Sequence, residues 1–217
     1  MKNVGVLLSG CGVYDGTEIH EAVITLLALE RNGASTVCMA PDIAQHHVVN
    51  HLTGQPTEES RNLLVESARI ARGEITDIKH IRSADLDALV IPGGFGAAKN
   101  LSDFAIKGKE AEIHPEVRRL VIEMADSAKP IGAMCISPAV LAKILEDRRP
   151  QVTIGNDLGT AEAIEAMGGT HTVCEVKMIE VDKTNKLVTT PAYMIGSSIS
   201  DVAEGIEKLV EKVLEMA

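Results

Sequence analysis

The sequence predicts a single α/β domain, a mostly parallel sheet with helices on both faces. Three observations carry that reading. Short apolar runs at Val4 to Leu8, Leu86 to Ile91 and Lys129 to Met134 have the character of buried parallel strands. Between them lie stretches with helical apolar spacing, and strands alternating with helices imply right-handed crossovers in one sheet. The runs also break off sharply, at Ser9-Gly-Cys-Gly12, at Pro92-Gly-Gly-Phe-Gly96 and at Cys135.

A chain of 217 residues suffices for one full core. Two Phe, two Tyr and no Trp leave that core to Val, Ile, Leu, Ala and Met, and leave little for stacking bases or sugars. The formal charge of −10 opposes binding to nucleic acid or to an anionic membrane, so neither is expected as a partner. Four cysteines are scattered at 11, 38, 135 and 174 without a CxxC pair, and no apolar run approaches the ~20 residues that cross a bilayer. The cysteines read as reduced thiols behind no signal peptide, and the expected location is the cytoplasm.

Taken in order, Val4 to Leu8 is the first strand. A helix from Glu18 to Asn32 follows, its apolar face made by Ile19, Ala22, Val23, Leu26, Leu27 and Leu29, and Asn32-Gly33 closes it. Ser35 to Ala40 is the second strand. The stretch from Asp42 to Gln55, with its three histidines, yields no assignment. Glu58 to Arg72 reads as a helix and Ile75 to Ile78 as an edge strand. After the strand ending at Ile91 comes a polar loop over 97–113, then a helix from His114 to Ser127. Lys129 to Met134 is the next strand and Pro138 to Leu145 the helix behind it, Pro138 fitting the first turn. A brief apolar run at Val152 to Ile154 precedes a helix over Gly159 to Met167, capped by Asn156 or Asp157. Val173 to Val181 and Lys186 to Thr190 read as a hairpin around Asp182-Lys-Thr-Asn185, and Ser198 to Met216 as the last helix.

In open α/β sheets the site lies beyond the carboxyl ends of the strands, where three loops of this chain should meet. Cys135 stands at the joint between a strand and a helix, the geometry of a nucleophile elbow. The amides and dipole of the helix start favour an anion, so this thiol is expected to ionise more easily than a free cysteine. The plain alternative is a buried cysteine ending a core strand. Pro92 to Gly96 has neither dinucleotide nor P-loop spacing, but Gly93 and Gly94 can turn backbone N–H groups inward and, with the N–H of Ile136, hold an oxyanion. Glu18 and Glu21 sit at the start of the first helix, three apart and on one side, so one of them can reach the thiol; acids placed there for the helix dipole alone are the alternative. Cys11, in the first loop, is a candidate second thiol. His47 and His51 have metal-ligand spacing, but no Glu or Cys completes the set, and no metal is expected.

These residues carry a resemblance. The order of strand, acid-led helix, Pro-Gly-Gly loop and Gly-x-Met-Cys-x-x-Pro elbow is similar to the PfpI and class I glutamine amidotransferase-like superfamily. Leu8-Ser-Gly-Cys-Gly-Val-Tyr-Asp-Gly16, Ile19-His-Glu-Ala22, Asn50-His-Leu-Thr-Gly54, Pro92-Gly-Gly-Phe-Gly-Ala-Ala-Lys-Asn100 and Thr189-Thr-Pro-Ala-Tyr193 resemble its ElbB branch, described as glyoxalase-like or as isoprenoid biosynthesis proteins with an amidotransferase-like domain. The likeness spans nearly the whole chain and implies a flavodoxin-like sandwich, commonly a homodimer. It implies Cys135 as nucleophile, Glu21 as the acid bonded to it with Glu18 in reserve, and Gly94 and Ile136 as oxyanion donors. The implied activity is a lyase-type glyoxalase without glutathione, metal or other cofactor, turning glyoxal or a similar small dicarbonyl into glycolate or the matching 2-hydroxy acid through a hemithioacetal on Cys135. Ile136 departs from PfpI-type proteases, which carry a histidine directly after the cysteine. Two other readings stand beside the enzyme: a redox- or stress-sensing cysteine protein, and an accessory protein of isoprenoid metabolism.

Overall fold

The computed structural model describes residues 1–217. Its elements in chain order are β1 (Asn3–Leu7), α1 (Ile19–Arg31), β2 (Ser35–Ala40), β3 (Val48–Asn50), β4 (Gln55–Thr57), α2 (Leu63–Ile70), β5 (Thr76–Asp77), β6 (Ala88–Ile91), α3 (Phe95–Lys99) and α4 (Phe104–Lys107). There follow α5 (Pro115–Asp126), β7 (Ile131–Met134), α6 (Ser137–Ile144), β8 (Gln151–Val152), α7 (Leu158–Ala166), β9 (Thr170–His171), β10 (Glu180–Asp182), β11 (Leu187–Thr190) and α8 (Ile199–Met216).

Seven strands form the central sheet in the order β10-β11-β7-β6-β1-β2-β5, parallel throughout except for the β10–β11 pair. Side chains alternate across it. Val4, Val6, Ala88 and Val90 face a layer made with α1 and α8, while Leu7, Leu89 and Ile91 face α5 and α6. The last helix shows how strongly this is driven: Val202, Ile206, Leu209, Val210 and Val213 are all fully buried on one side of it. Each such burial stabilises by roughly 1.5–3 kcal/mol. The expected α/β domain, flavodoxin-like and mostly parallel, is what forms.

One unassigned stretch is filled and two local readings need correction. The stretch 42–57 contains the hairpin β3–β4, antiparallel with Val48 opposite Thr57. Helix α2 begins only at Leu63, because the Asn62 side chain accepts from the Val65 amide and caps it there. Of the strand expected over Val173 to Val181, only Glu180–Asp182 pairs. The preceding residues turn away onto α8, where Lys177 pairs with Asp201 and Glu204 and its carbonyl accepts from Lys208. Within the loop over 97–113, α3 and α4 supply short helical turns.

Candidate active site

The chain turns from β7 to α6 through Cys135, which has φ +60°, a left-handed conformation rare for a residue with a side chain. Such strain persists only where surrounding contacts hold it. Here the Cys135 amide donates to the Thr190 carbonyl at 3.1 Å, and the Ser137 hydroxyl donates to the Pro92 carbonyl at 2.7 Å. The elbow is thereby tied to the end of β11 and to the glycine loop after β6. The sulfur's residue keeps 8% of its surface exposed.

Glu21, in the first turn of α1, is fully buried and reaches this corner. One carboxyl oxygen accepts from the Gly93 amide at 2.8 Å, the other from the Tyr193 amide at 3.2 Å, and the carboxyl lies beside the Cys135 thiol, the two flanking Gly93. Glu18 does something else. It is the N-cap of α1, its carboxylate accepting from the Glu21 amide at 2.7 Å. Of the two acids, Glu21 is therefore the thiol's partner and Glu18 holds the helix start beside it.

The glycine loop divides its labour. The amides of Gly94 and Ile136 face the Cys135 sulfur and pull its thiol down. Gly93 does not join them: its N–H is spent on Glu21, which corrects its expected part in the oxyanion pocket. Its role is room, since a Cβ there would fall 2.4 Å from the Cys135 Cβ and 2.8 Å from the Glu21 carboxyl. Gly94 sits at φ +94°, where a side chain would also strike the backbone of Gly16 and Glu18.

Burial and then the neighbouring Glu18 push the Glu21 carboxyl from its usual 4.5 up to about 8, against the pull of the Tyr193 and Gly93 amides. Burial, and then the charge of Glu21 when ionised, push the Cys135 thiol well above its usual value, although the Gly94 and Ile136 amides pull it down. The expectation of an easily ionised thiol is thus overturned. Two amides do not offset the loss of water around a sulfur this deep. Cys135 and Glu21 form one coupled acid, and the pair as a whole gives up its first proton in mildly alkaline solution.

Over the sulfur opens a cavity of about 320 Å³. Its apolar wall is Val13, Phe95, Ile136 and Met194, and its polar groups are Asp157, Thr160 and Tyr193 beside Cys135. A hollow of about 490 Å³ between Lys2 and Leu214 is larger but holds no nucleophile. Tyr193, Asp157 and Thr160 come from the turn after β11 and the start of α7, and the sequence reading missed their place here. Tyr193 belongs to the Thr-Thr-Pro-Ala-Tyr stretch, and Asp157 carried a cap signal; neither hinted at a shared cavity.

Cys11 does not line this cavity. It is half-buried, and burial and then Glu66 push its thiol up while Arg69 opposes them. Its loop turns it toward α2, so its expected place in the site is withdrawn. His20 bonds the Tyr193 hydroxyl through Nδ1 at 2.9 Å rather than Cys135. His51 approaches Asp15, and His47 contacts Lys99. No three His, Cys, Asp or Glu side chains come together as metal ligands.

Comparison with known proteins adds four findings. Residues 11–189 match the DJ-1/PfpI family. A human protein described as glutamine amidotransferase-like class 1 domain-containing protein 3, mitochondrial, is 51% identical over 98% of this chain and 82% of its own length. The rat ES1 protein homolog, also described as mitochondrial, is 48% identical over 98% of this chain and 83% of its own. The crystal structure of an isoprenoid biosynthesis protein with amidotransferase-like domain from Ehrlichia chaffeensis superposes with a TM-score of 0.94 at 41% identity, covering 100% of this chain and 99% of that one. The relatives named as mitochondrial overturn the cytoplasmic expectation. That expectation rested on scattered cysteines read as reduced thiols behind no signal peptide, a pattern that does not tell one reducing compartment from another.

Proposed function

The chain belongs to the DJ-1/PfpI family and has a class I glutamine amidotransferase-like fold, and on that premise we propose that it is a cofactor-independent glyoxalase of the ElbB type. The observation that carries this is the meeting of the Cys135 sulfur with the Glu21 carboxyl and the Gly94 and Ile136 amides. The cavity above them is small and largely apolar, suited to a two- or three-carbon dicarbonyl.

The sulfur adds to one carbonyl carbon of glyoxal, and the oxygen that gains the electron pair is held by the Gly94 and Ile136 amides and protonated, giving a hemithioacetal. The Glu21 carboxylate removes the hydrogen on that carbon and returns a proton to the neighbouring one. The adduct becomes a thioester of glycolate. Water then cleaves the carbon–sulfur bond, releasing glycolate and restoring the thiol. One glyoxal and one water give one glycolic acid, so no electron acceptor is consumed.

Glutaminase and peptidase readings have less support, because Ile136 follows the cysteine and His20 is engaged by Tyr193. A thiol pushed up rather than down weighs against a peroxide sensor and equally against a resting thiolate in the enzyme, whose attack therefore needs Glu21 to take the proton. A homodimer is supported by Ile19, Val23 and Leu27, which form an exposed apolar stripe one turn apart along α1. A mitochondrial setting is supported by the names of the relatives.

The test is glycolate formation from glyoxal by the purified protein. Turnover that vanishes in Cys135→Ser is expected, and a variant with full activity would end the proposal.

A further inference from the structure

The cavity over Cys135 has a charge pattern of its own. No Lys, Arg or His lines it. Its one charged lining group is Asp157, the exposed N-cap of α7, whose carboxylate accepts from the Thr160 amide at 2.8 Å. Hydrogen bonds from the Thr160 hydroxyl and amide hold this carboxyl below its usual range, so it is ionised at neutral pH. Because Asp157 occupies the cap, the Thr160 amide at the start of α7 is committed to its side chain and not to an entering anion. Lys99 touches the wall from outside, its ammonium over the Phe95 ring at 4.7 Å, where it also bonds His47 and the Tyr14 carbonyl. No cationic side chain among the lining groups answers a carboxylate, and one group opposes it.

We infer that Asp157 is a specificity-determining residue, an electrostatic filter at the mouth that admits neutral and cationic carbonyl compounds to Cys135 and turns away those bearing a carboxylate. The consequence for substrates rests on the proposed carbonyl chemistry: uncharged dicarbonyls are taken in preference to 2-oxo acids of the same size. The same charge hastens departure of an anionic hydroxy-acid product. The filter itself is a property of the cavity and can be measured without turnover.

The experiment measures labelling of Cys135 by two methanethiosulfonates of similar size, one carrying an ammonium and one a sulfonate. Mass spectrometry assigns the label to Cys135, and a small free thiol supplies the intrinsic reactivity ratio. The wild type should favour the cationic reagent beyond that ratio. In Asp157→Asn, which keeps a capping side chain, the preference should fall about threefold or more at ~20 mM salt and be compressed in both proteins at ~1 M salt. Asp157→Ser, a second capping residue, should behave alike. Glu211→Gln removes one charge at the far end of the molecule, near Lys2, and should leave the ratio unchanged.

An unchanged ratio in both Asp157 variants, an equal change in Glu211→Gln, or failure of the cationic reagent to reach Cys135 would overturn the filter. The outcome is separable from that for glyoxalase activity. A shifted ratio in a protein that forms no glycolate leaves the filter standing and removes the enzyme. An unshifted ratio in a protein that does form it removes the filter alone.

Discussion

The Glu21 carboxyl faces the Cys135 thiol across Gly93, inside a corner where Glu21 has no exposed surface. Burial raises the proton affinity of both groups, and an ionised Glu21 raises that of the thiol further, while the thiol pulls the carboxyl down. A nucleophile and its base are therefore a single titrating unit.

This coupling fixes the pH dependence of the chemistry. Attack needs the pair to have lost one proton, and burial has pushed the Glu21 carboxyl up to about 8. Glyoxal turnover should rise with pH through that region and then level. Glu21→Gln removes the base while keeping the shape. Turnover should drop by about 10²–10⁴-fold, whereas thiol alkylation, freed of the Glu21 charge that pushes the thiol up, should begin to climb at lower pH than in wild type. A variant with the wild-type profile would sink the assignment of Glu21.

The same shift predicts a slope in stability. Folded Glu21 holds its proton up to about 8, whereas the unfolded chain releases it near 4.5. Between these values the folded state binds more protons, so stability falls as pH rises. The favourable contribution is complete below about 4.5 and is lost through about 8. Glu21→Gln lacks this slope. Relative to wild type it should gain stability between pH 5 and pH 9, by up to a few kcal/mol. Urea unfolding at the two pH values measures this; a constant difference would show that the carboxyl is not buried as described.

Gly93→Ala tests how tightly the corner is built. The added methyl would meet the Cys135 Cβ at 2.4 Å and the Glu21 carboxyl at 2.8 Å. Neither neighbour can retreat freely, because the Gly93 amide is bound to Glu21 and the Cys135 amide to Thr190. The expected cost is about 1–3 kcal/mol. Turnover should fall at least ~10-fold in protein that remains folded, since small displacements of reacting groups are expensive. Paired measurements of unfolding and turnover would show this.

Much of this corner was legible in the chain. Cys135 stood out because an apolar run stops against a helix start, and Glu21 because a helix after the first strand must begin at the same sheet edge. The depth of burial was not legible. Sequence displays the amides that favour a thiolate but not the absence of water that opposes it, and so the thiol was expected to ionise too easily. Asp157, Thr160 and Tyr193 were missed for a topological reason. They arrive from α7 and from the turn after β11, and no local pattern says which loops share a cavity. Val173 to Ile179 alternates like a strand, yet the pull of α8 on Lys177 outweighs pairing there.

Asn100 locks the first loop in place. Its side-chain amide donates to the carbonyls of Ser9 at 3.1 Å and Asp15 at 2.9 Å, and its oxygen accepts from the His46 amide at 2.8 Å. It is buried, so Asn100→Ala would strand backbone groups without water, at about 2–4 kcal/mol in sum. Asn100→Asp keeps the acceptor for His46 but aims a carboxylate at two carbonyl oxygens, and should cost more than Ala although it is closer in shape. The loop it secures also brings Val13 to the cavity wall and receives the Gly96 amide on Gly16. Turnover should therefore fall in both variants, further in the Asp one. Urea unfolding and glycolate formation measured together check the order, and an Asp variant as stable as wild type would show that these hydrogen bonds do not hold the loop.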